Sequence, residues 1–195
     1  MSAMPFIELA DYSADADFLL ERAYPFVDEV ADFFLSYVTR NEQSGAFDVL
    51  NSCAQEICGG GPDGEDNPHH DLAFLEAALR TLLRWSAQLG VDADKRPQWQ
   101  GLLDGLAPLP TGTHAGAAVW LEANDTQANF LSNAGAFSIV YYAALHPAQT
   151  VSLSNDDEAL LATAWATVEA VNAVNSYRPV NGLCMQVFLT RADPT

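Results

Sequence analysis

The chain has 195 residues, enough for one domain, and 49% of them are hydrophobic, which argues against wholesale disorder. Lys and Arg total 8 against 26 Asp and Glu, a formal charge of -18. Such a charge repels phosphate backbones and anionic bilayers, so neither nucleic acid nor a membrane surface is expected as a partner. The chain opens with "MSAMPFIELADYSADADF", which has no basic segment and no long apolar stretch, so no signal peptide is expected. No apolar run approaches the roughly 20 residues of a bilayer span. On this reading the protein is soluble and cytoplasmic.

Ser13 to Thr39 reads as helix, with Ser13 as cap and Asp15 and Asp17 in the first turn, where the helix dipole favours acids. Phe18, Phe26, Val30, Phe33, Phe34 and Tyr37 supply its apolar face, and Pro25 is expected to kink or divide it. Asn41 to Gly45 is a turn, and Ala46 to Leu50 a short extended stretch. A long loop follows, from Asn51 to Asp71. Asp71 to Leu89 repeats Leu at helical spacing and stops at Gly90. Asp92 to Leu106 is a shorter helix, and Ala117 to Glu122 is extended. Helices are expected from Asn133 or Ala134 to Leu145, from Asp156 to Asn175 with Ser154 as cap, and from Asn181 to Arg191. Long amphipathic helices with few short strands define an all-α class in a single domain, residues 1–195.

The loop "NSCAQEICGGGPDGEDNPHHD" is long for a helical protein, and loops of that length are commonly functional. Asp63, Glu65, Asp66, His69, His70 and Asp71 carry oxygen and nitrogen donors. The order of acids resembles a calcium loop only faintly, lacking the alternating carboxylates and the distal bidentate Glu. Adjacent His69 and His70 do not share a helical face. No metal site and no cofactor are therefore expected. Cys53, Cys58 and Cys184 make an odd number, which rules out full pairing within the chain. Cys53 and Cys58 lack the C-x-x-C spacing and read as free thiols or small buried groups. Glu56 is the lone charge between Val49 and Pro62. Desolvation in such surroundings can raise a carboxyl pKa and suit it to general-acid work.

The order of segments carries more. "AYPFVDEVADFFLSYV", "GAFDVLNSCAQEICGG", "HDLAFLEAALRTLLRWSAQLGVD" and "WQGLLDGLAPLPTG" are followed by "VWLE", "YYAALHPAQTVSL" and "DEALLATAWATV". This succession, over most of Ala23 to Arg191, resembles the central part of the catalytic barrel of the six-hairpin glycosidases. The nearest likeness is to glycoside hydrolase family 95, the α-L-fucosidases and α-L-galactosidases. The resemblance implies helical hairpins forming part of an α/α toroid and hydrolysis of a glycosidic bond in a small-molecule carbohydrate. It puts Glu56, in "SCAQEICG", on the general-acid position and Asp71 on the helix-opening Asp. Three family features are absent: the upstream Asn-rich strand, the downstream Asp segment used as base, and a His in "NFLSNAGAFSIV".

Glycoside hydrolysis ordinarily uses two carboxylates. Asp66, Asp71, Glu122 or a second chain are the candidates for the partner of Glu56. Asp66, Asn67, His69 and His70 are expected at the rim of the cleft. Trp120 offers an aromatic face beside Glu122 for the apolar side of a sugar, or serves as a core residue. Trp85, Trp99 and Trp165 read as core. A partial barrel exposes apolar flanks, which self-association into a homo-oligomer, most simply a dimer, would bury. The alternative function is a non-catalytic carbohydrate-binding or interaction remnant of a larger glycosidase.

Overall fold

The computed structural model describes residues 3–53, 64–132, 138–152 and 157–174. Helix α1 spans Met4–Ser13, ahead of the first helix expected from the sequence. Pro5 occupies its first turn, where the missing N–H costs nothing, and Met4, Ile7 and Ala10 form its buried stripe. The next helix starts on Asp15, not Ser13. Asp15 Oδ1 accepts from the Asp17 and Phe18 amides, both at 3.0 Å. Helix α2, Ala16–Phe18, runs into a π-helical turn, Leu19–Ala23, and then into α3, Tyr24–Tyr37. Pro25 sits in the first turn of α3, so the expected interruption falls just ahead of it as a π turn.

Strands β1 (Thr39–Arg40) and β2 (Phe47–Asp48) pair antiparallel around the predicted turn. Asn41 Oδ1 accepts from the Gln43 and Ser44 amides, and Gly45 takes the left-handed conformation. Helix α4, His69–Leu89, begins two residues before the expected Asp71 and ends at Gly90, as its sequence predicts. Arg96 closes its C-terminal end, donating to Ser86 Oγ at 2.8 Å and to the Ser86 carbonyl at 2.7 Å. Helix α5 spans Arg96–Gly105. A hairpin of β3 (Thr111–His114) and β4 (Ala117–Trp120) follows, of which the sequence predicts only the second strand. The helix expected up to Leu145 is instead a 3-10 turn, Ser138–Tyr141, followed by turns, within the residues described. Helix α6, Glu158–Val174, is capped by Asp157, whose Oδ1 accepts from the Leu160 amide at 2.9 Å. The predicted Asn181–Arg191 helix and the cap Ser154 lie outside the described residues.

Helix α4 is the axis. It packs against α1, α3 and α5, and α6 covers β4. Val27, Ala31, Leu75, Leu79, Leu82, Trp85 and Trp99 share one buried core. Full burial of each large apolar side chain contributes about 1.5–3 kcal/mol. Val140, Tyr141, Tyr142, Val168 and Val171 form a second cluster beside it. The apolar face expected for α3 is only partly right. Tyr24, Val27 and Ala31 are its buried stripe, while Phe33 and Tyr37 stack on each other at the surface. The described residues are mostly helix with two small two-stranded sheets. No helix among them is long and apolar enough to cross a membrane.

Candidate active site

The long loop returns to its origin before α4 begins. Ser52 and Glu65 form an antiparallel bridge, with Ser52 N–H donating to the Glu65 carbonyl at 3.0 Å and the reverse bond at 2.6 Å. Below it, Asp66 Oδ1 accepts from the Asn51 amide at 3.2 Å, and the Asp66 carbonyl accepts from the Asn124 amide at 2.9 Å. Asn67 comes next, in the left-handed conformation that Asn tolerates. Its side chain imitates a strand partner. Oδ1 accepts from the Val49 amide at 2.8 Å, the Asn67 amide donates to the Val49 carbonyl at 2.7 Å, and Nδ2 donates to Asp48 Oδ1 at 3.0 Å.

Asn67 is thus buried and its polar groups are spent on the scaffold. It lies beneath the rim, not on it as the sequence predicts. Asp66 is exposed and does lie at the surface.

Cys53 is disulfide-bonded, which corrects the free-thiol reading. The other two cysteines and Glu56 lie outside the described residues. Spacing alone does not reveal the bond, because an odd cysteine count leaves open which thiols pair.

The first turn of α4 presents three polar side chains at two depths. His69 is fully buried and is a keystone, not a rim residue. Its amide donates to the Glu122 carbonyl at 2.8 Å, and its Nε2 accepts from the Ala144 amide at 3.3 Å. Its ring lies 4.9 Å from that of Trp120. An imidazole accepting at Nε2 carries its proton on Nδ1 and is neutral. Burial, reinforced by His70, lowers its pKa to about 3.

His70 and Asp71 are partly exposed. His70 Nε2 lies 3.2 Å from Asp71 Oδ1. Burial lowers the His70 pKa, while Asp71 and Glu65 pull against that shift. On the other side Ser52 Oγ donates to Asp71 Oδ2 at 2.5 Å. Asp71 also lies in the first turn of a 21-residue helix, where the dipole favours a negative charge.

Glu122 and Tyr141 stand behind this group and are buried. Burial raises the Tyr141 pKa, and the Glu122 charge, with that of Glu65, raises it further. Trp120 is likewise in the core, its amide donating to Thr167 Oγ1 at 2.8 Å. Of its two sequence readings, the core residue is the one found.

The structure therefore gathers Ser52, Glu65, His70 and Asp71 at the accessible mouth of the loop. His69, Asn67, Trp120, Glu122 and Tyr141 form the layer beneath. Sequence reasoning misses Ser52, since nothing local marks a serine 19 residues before its carboxylate partner. Two surface grooves lie elsewhere. One, between α4 and α5, is lined by Glu76, Gln100 and Pro108, and the other, between α1 and α4, by Ile7, Tyr12 and Thr150. Among the described residues, no group of three or more His, Cys, Asp or Glu side chains is arranged to hold a metal ion.

This arrangement ties Ser52 to Glu65 by the backbone and to Asp71 by its side chain. A periplasmic/secreted acid trehalase of Candida glabrata is 30% identical over 95 residues, which is 48% of this chain. The chain spans 7% of the length of that relative. The sequence profile of the glycosyl hydrolase family 95 catalytic domain matches residues 3–173, most of the chain. The chain belongs to the glycosyl hydrolase family 95 catalytic-domain family.

Proposed function

We propose that this protein hydrolyses a glycosidic bond in a carbohydrate, with Glu56 as the general acid that protonates the departing oxygen. The family match carries this reading. The described geometry supports it. The loop that holds Glu56 in sequence is tied at its base by the Ser52–Glu65 bridge, and its mouth is lined by Glu65, His70 and Asp71. A carboxylate on such a loop meets the departing oxygen, while a second one activates water or attacks the anomeric carbon. The toroid of helical hairpins is part of the same reading, since helical hairpins around a shared core are what such a barrel repeats. The α-L-fucosidase and α-L-galactosidase activities of the family and the acid trehalase similarity make these glycosides the first substrates to test.

Nitrophenyl α-L-fucoside, nitrophenyl α-L-galactoside and trehalose are assayed with the wild type and Glu56→Gln, beside a binding measurement for the free sugars. The variant is expected to lose roughly two to four orders of magnitude in kcat on trehalose, the usual worth of a positioned acid. The loss should be smaller on the nitrophenyl substrates, whose leaving group needs little protonation. An unchanged rate on trehalose removes Glu56 from the mechanism. Binding without turnover by the wild type returns the protein to the class of carbohydrate-binding remnants.

A further inference from the structure

Asp71 matches a family position and is a candidate for the second catalytic carboxylate, but its surroundings assign it other work. Oδ2 receives the Ser52 hydroxyl at 2.5 Å and Oδ1 faces His70 Nε2 at 3.2 Å. Both oxygens are engaged, so the plane of the carboxylate is set by the protein. Ser52 is not an incidental partner. Its backbone makes both hydrogen bonds of the bridge to Glu65, and Cys53 beside it is disulfide-bonded. The opposing strand is pressed close, since a Cβ on Gly64 would come within 2.6 Å of the Ser52 carbonyl oxygen. The bond from Ser52 Oγ to Asp71 ties this bridge to helix α4.

We propose that Asp71 is a positioning residue, which clamps Ser52 to the first turn of α4 and thereby fixes the base of the loop bearing Glu56. The proposal rests on the glycosidase reading above for its kinetic consequence, and on geometry alone for the clamp. On this assignment the second carboxylate is a residue other than Asp71. A charge is not needed for this work. An amide oxygen at position 71 can accept from Ser52 Oγ, and its NH2 can face His70 Nε2 if the imidazole takes the other tautomer.

Turnover of trehalose and of nitrophenyl α-L-fucoside is measured for Ser52→Ala, Asp71→Ala, their double variant and Asp71→Asn. The clamp predicts that kcat falls about a hundredfold in each alanine variant, the order of loss from small misplacement of a reacting group. The double variant should fall no further, because the two changes delete one interaction. Asp71→Asn should restore kcat close to wild type. Equal losses in Asp71→Asn and Asp71→Ala, with Ser52→Ala unaffected, overturn the proposal and make Asp71 a reacting carboxylate.

Hydrogen exchange tests the clamp without turnover. The Ser52 and Glu65 amides should exchange about tenfold faster or more in both alanine variants, as expected for loss of a hydrogen bond to a charged group. Exchange within α4 should be unchanged. Should Asp71→Ala unravel α4, Ser52→Ala decides alone, since it removes a single oxygen. Unaltered exchange in Ser52→Ala overturns the clamp. Glu56→Gln keeps the two readings apart: full activity there removes the general acid and leaves the exchange result standing.

Discussion

At the scale of single residues, His69 shows how burial chooses a role. A histidine in a loop rich in acids reads as a site residue, yet its Nε2 accepts from the Ala144 amide, its ring lies against Trp120, and its Nδ1 is buried without a hydrogen-bond partner among the described residues. Its pKa falls from the ordinary 6.5 to about 3 through burial. The unfolded chain therefore takes up a proton that the folded chain refuses. The stability that His69 contributes is whole above pH 6.5 and is lost as pH falls from 6.5 toward 3. The slope is about 1.4 kcal/mol per pH unit for one group. Between pH 7 and pH 5 the wild type should lose roughly 2 kcal/mol more than His69→Gln, which keeps an acceptor for Ala144 and does not titrate. Urea unfolding at the two values measures the difference, and equal losses would show that His69 is protonated in the fold. The adjacent His70 has the same identity and a different depth, and nothing in the sequence separates the two.

Elements are legible in the sequence where one face is buried and hidden where both are. Leu75, Leu79 and Leu82 face the main core and Leu72 a smaller cluster with Val49 and Ala107, while Arg80 and Arg84 face solvent, so periodicity places the start of α4 to within two residues. Val140 to Ala144 are all buried. A run hidden on every side shows no period, and it reads as a helix where turns are found. Strand β3, "TGTH", carries no apolar alternation and so leaves no strand signal in the sequence. At the loop base the decisive residue is Gly64, in the left-handed conformation at φ +73 and against the Ser52 carbonyl. Gly64→Ala meets both strain and backbone overlap, so it should cost about 1–3 kcal/mol and open the bridge. Thermal unfolding and hydrogen exchange at Ser52 and Glu65 test this, and an unshifted melting temperature would refute it.

At the scale of the whole molecule, the surface keeps several large apolar side chains in water. Leu9, Tyr12, Leu20 and Phe33 are each about half exposed or more. Self-association covers such side chains, so the protein is expected to be a homo-oligomer, most simply a dimer, by light scattering at micromolar concentration. Phe33→Ser should then shift the mass toward the monomer. A wild type that stays monomeric at every concentration refutes the expectation. What the sequence by itself determined is the mostly helical class, the stop of α4 at Gly90 and the family, because periodicity, caps and segment order are local or linear properties. Which residues of that loop are accessible was decided only by tertiary structure. Asn67 is consumed by Val49 and Asp48, and the buried His69 gives its Nε2 to Ala144, whereas Asp71 finds Ser52 across 19 residues of chain. Depth and partnership are set by how distant segments close on one another, and spacing along the chain carries no measure of either.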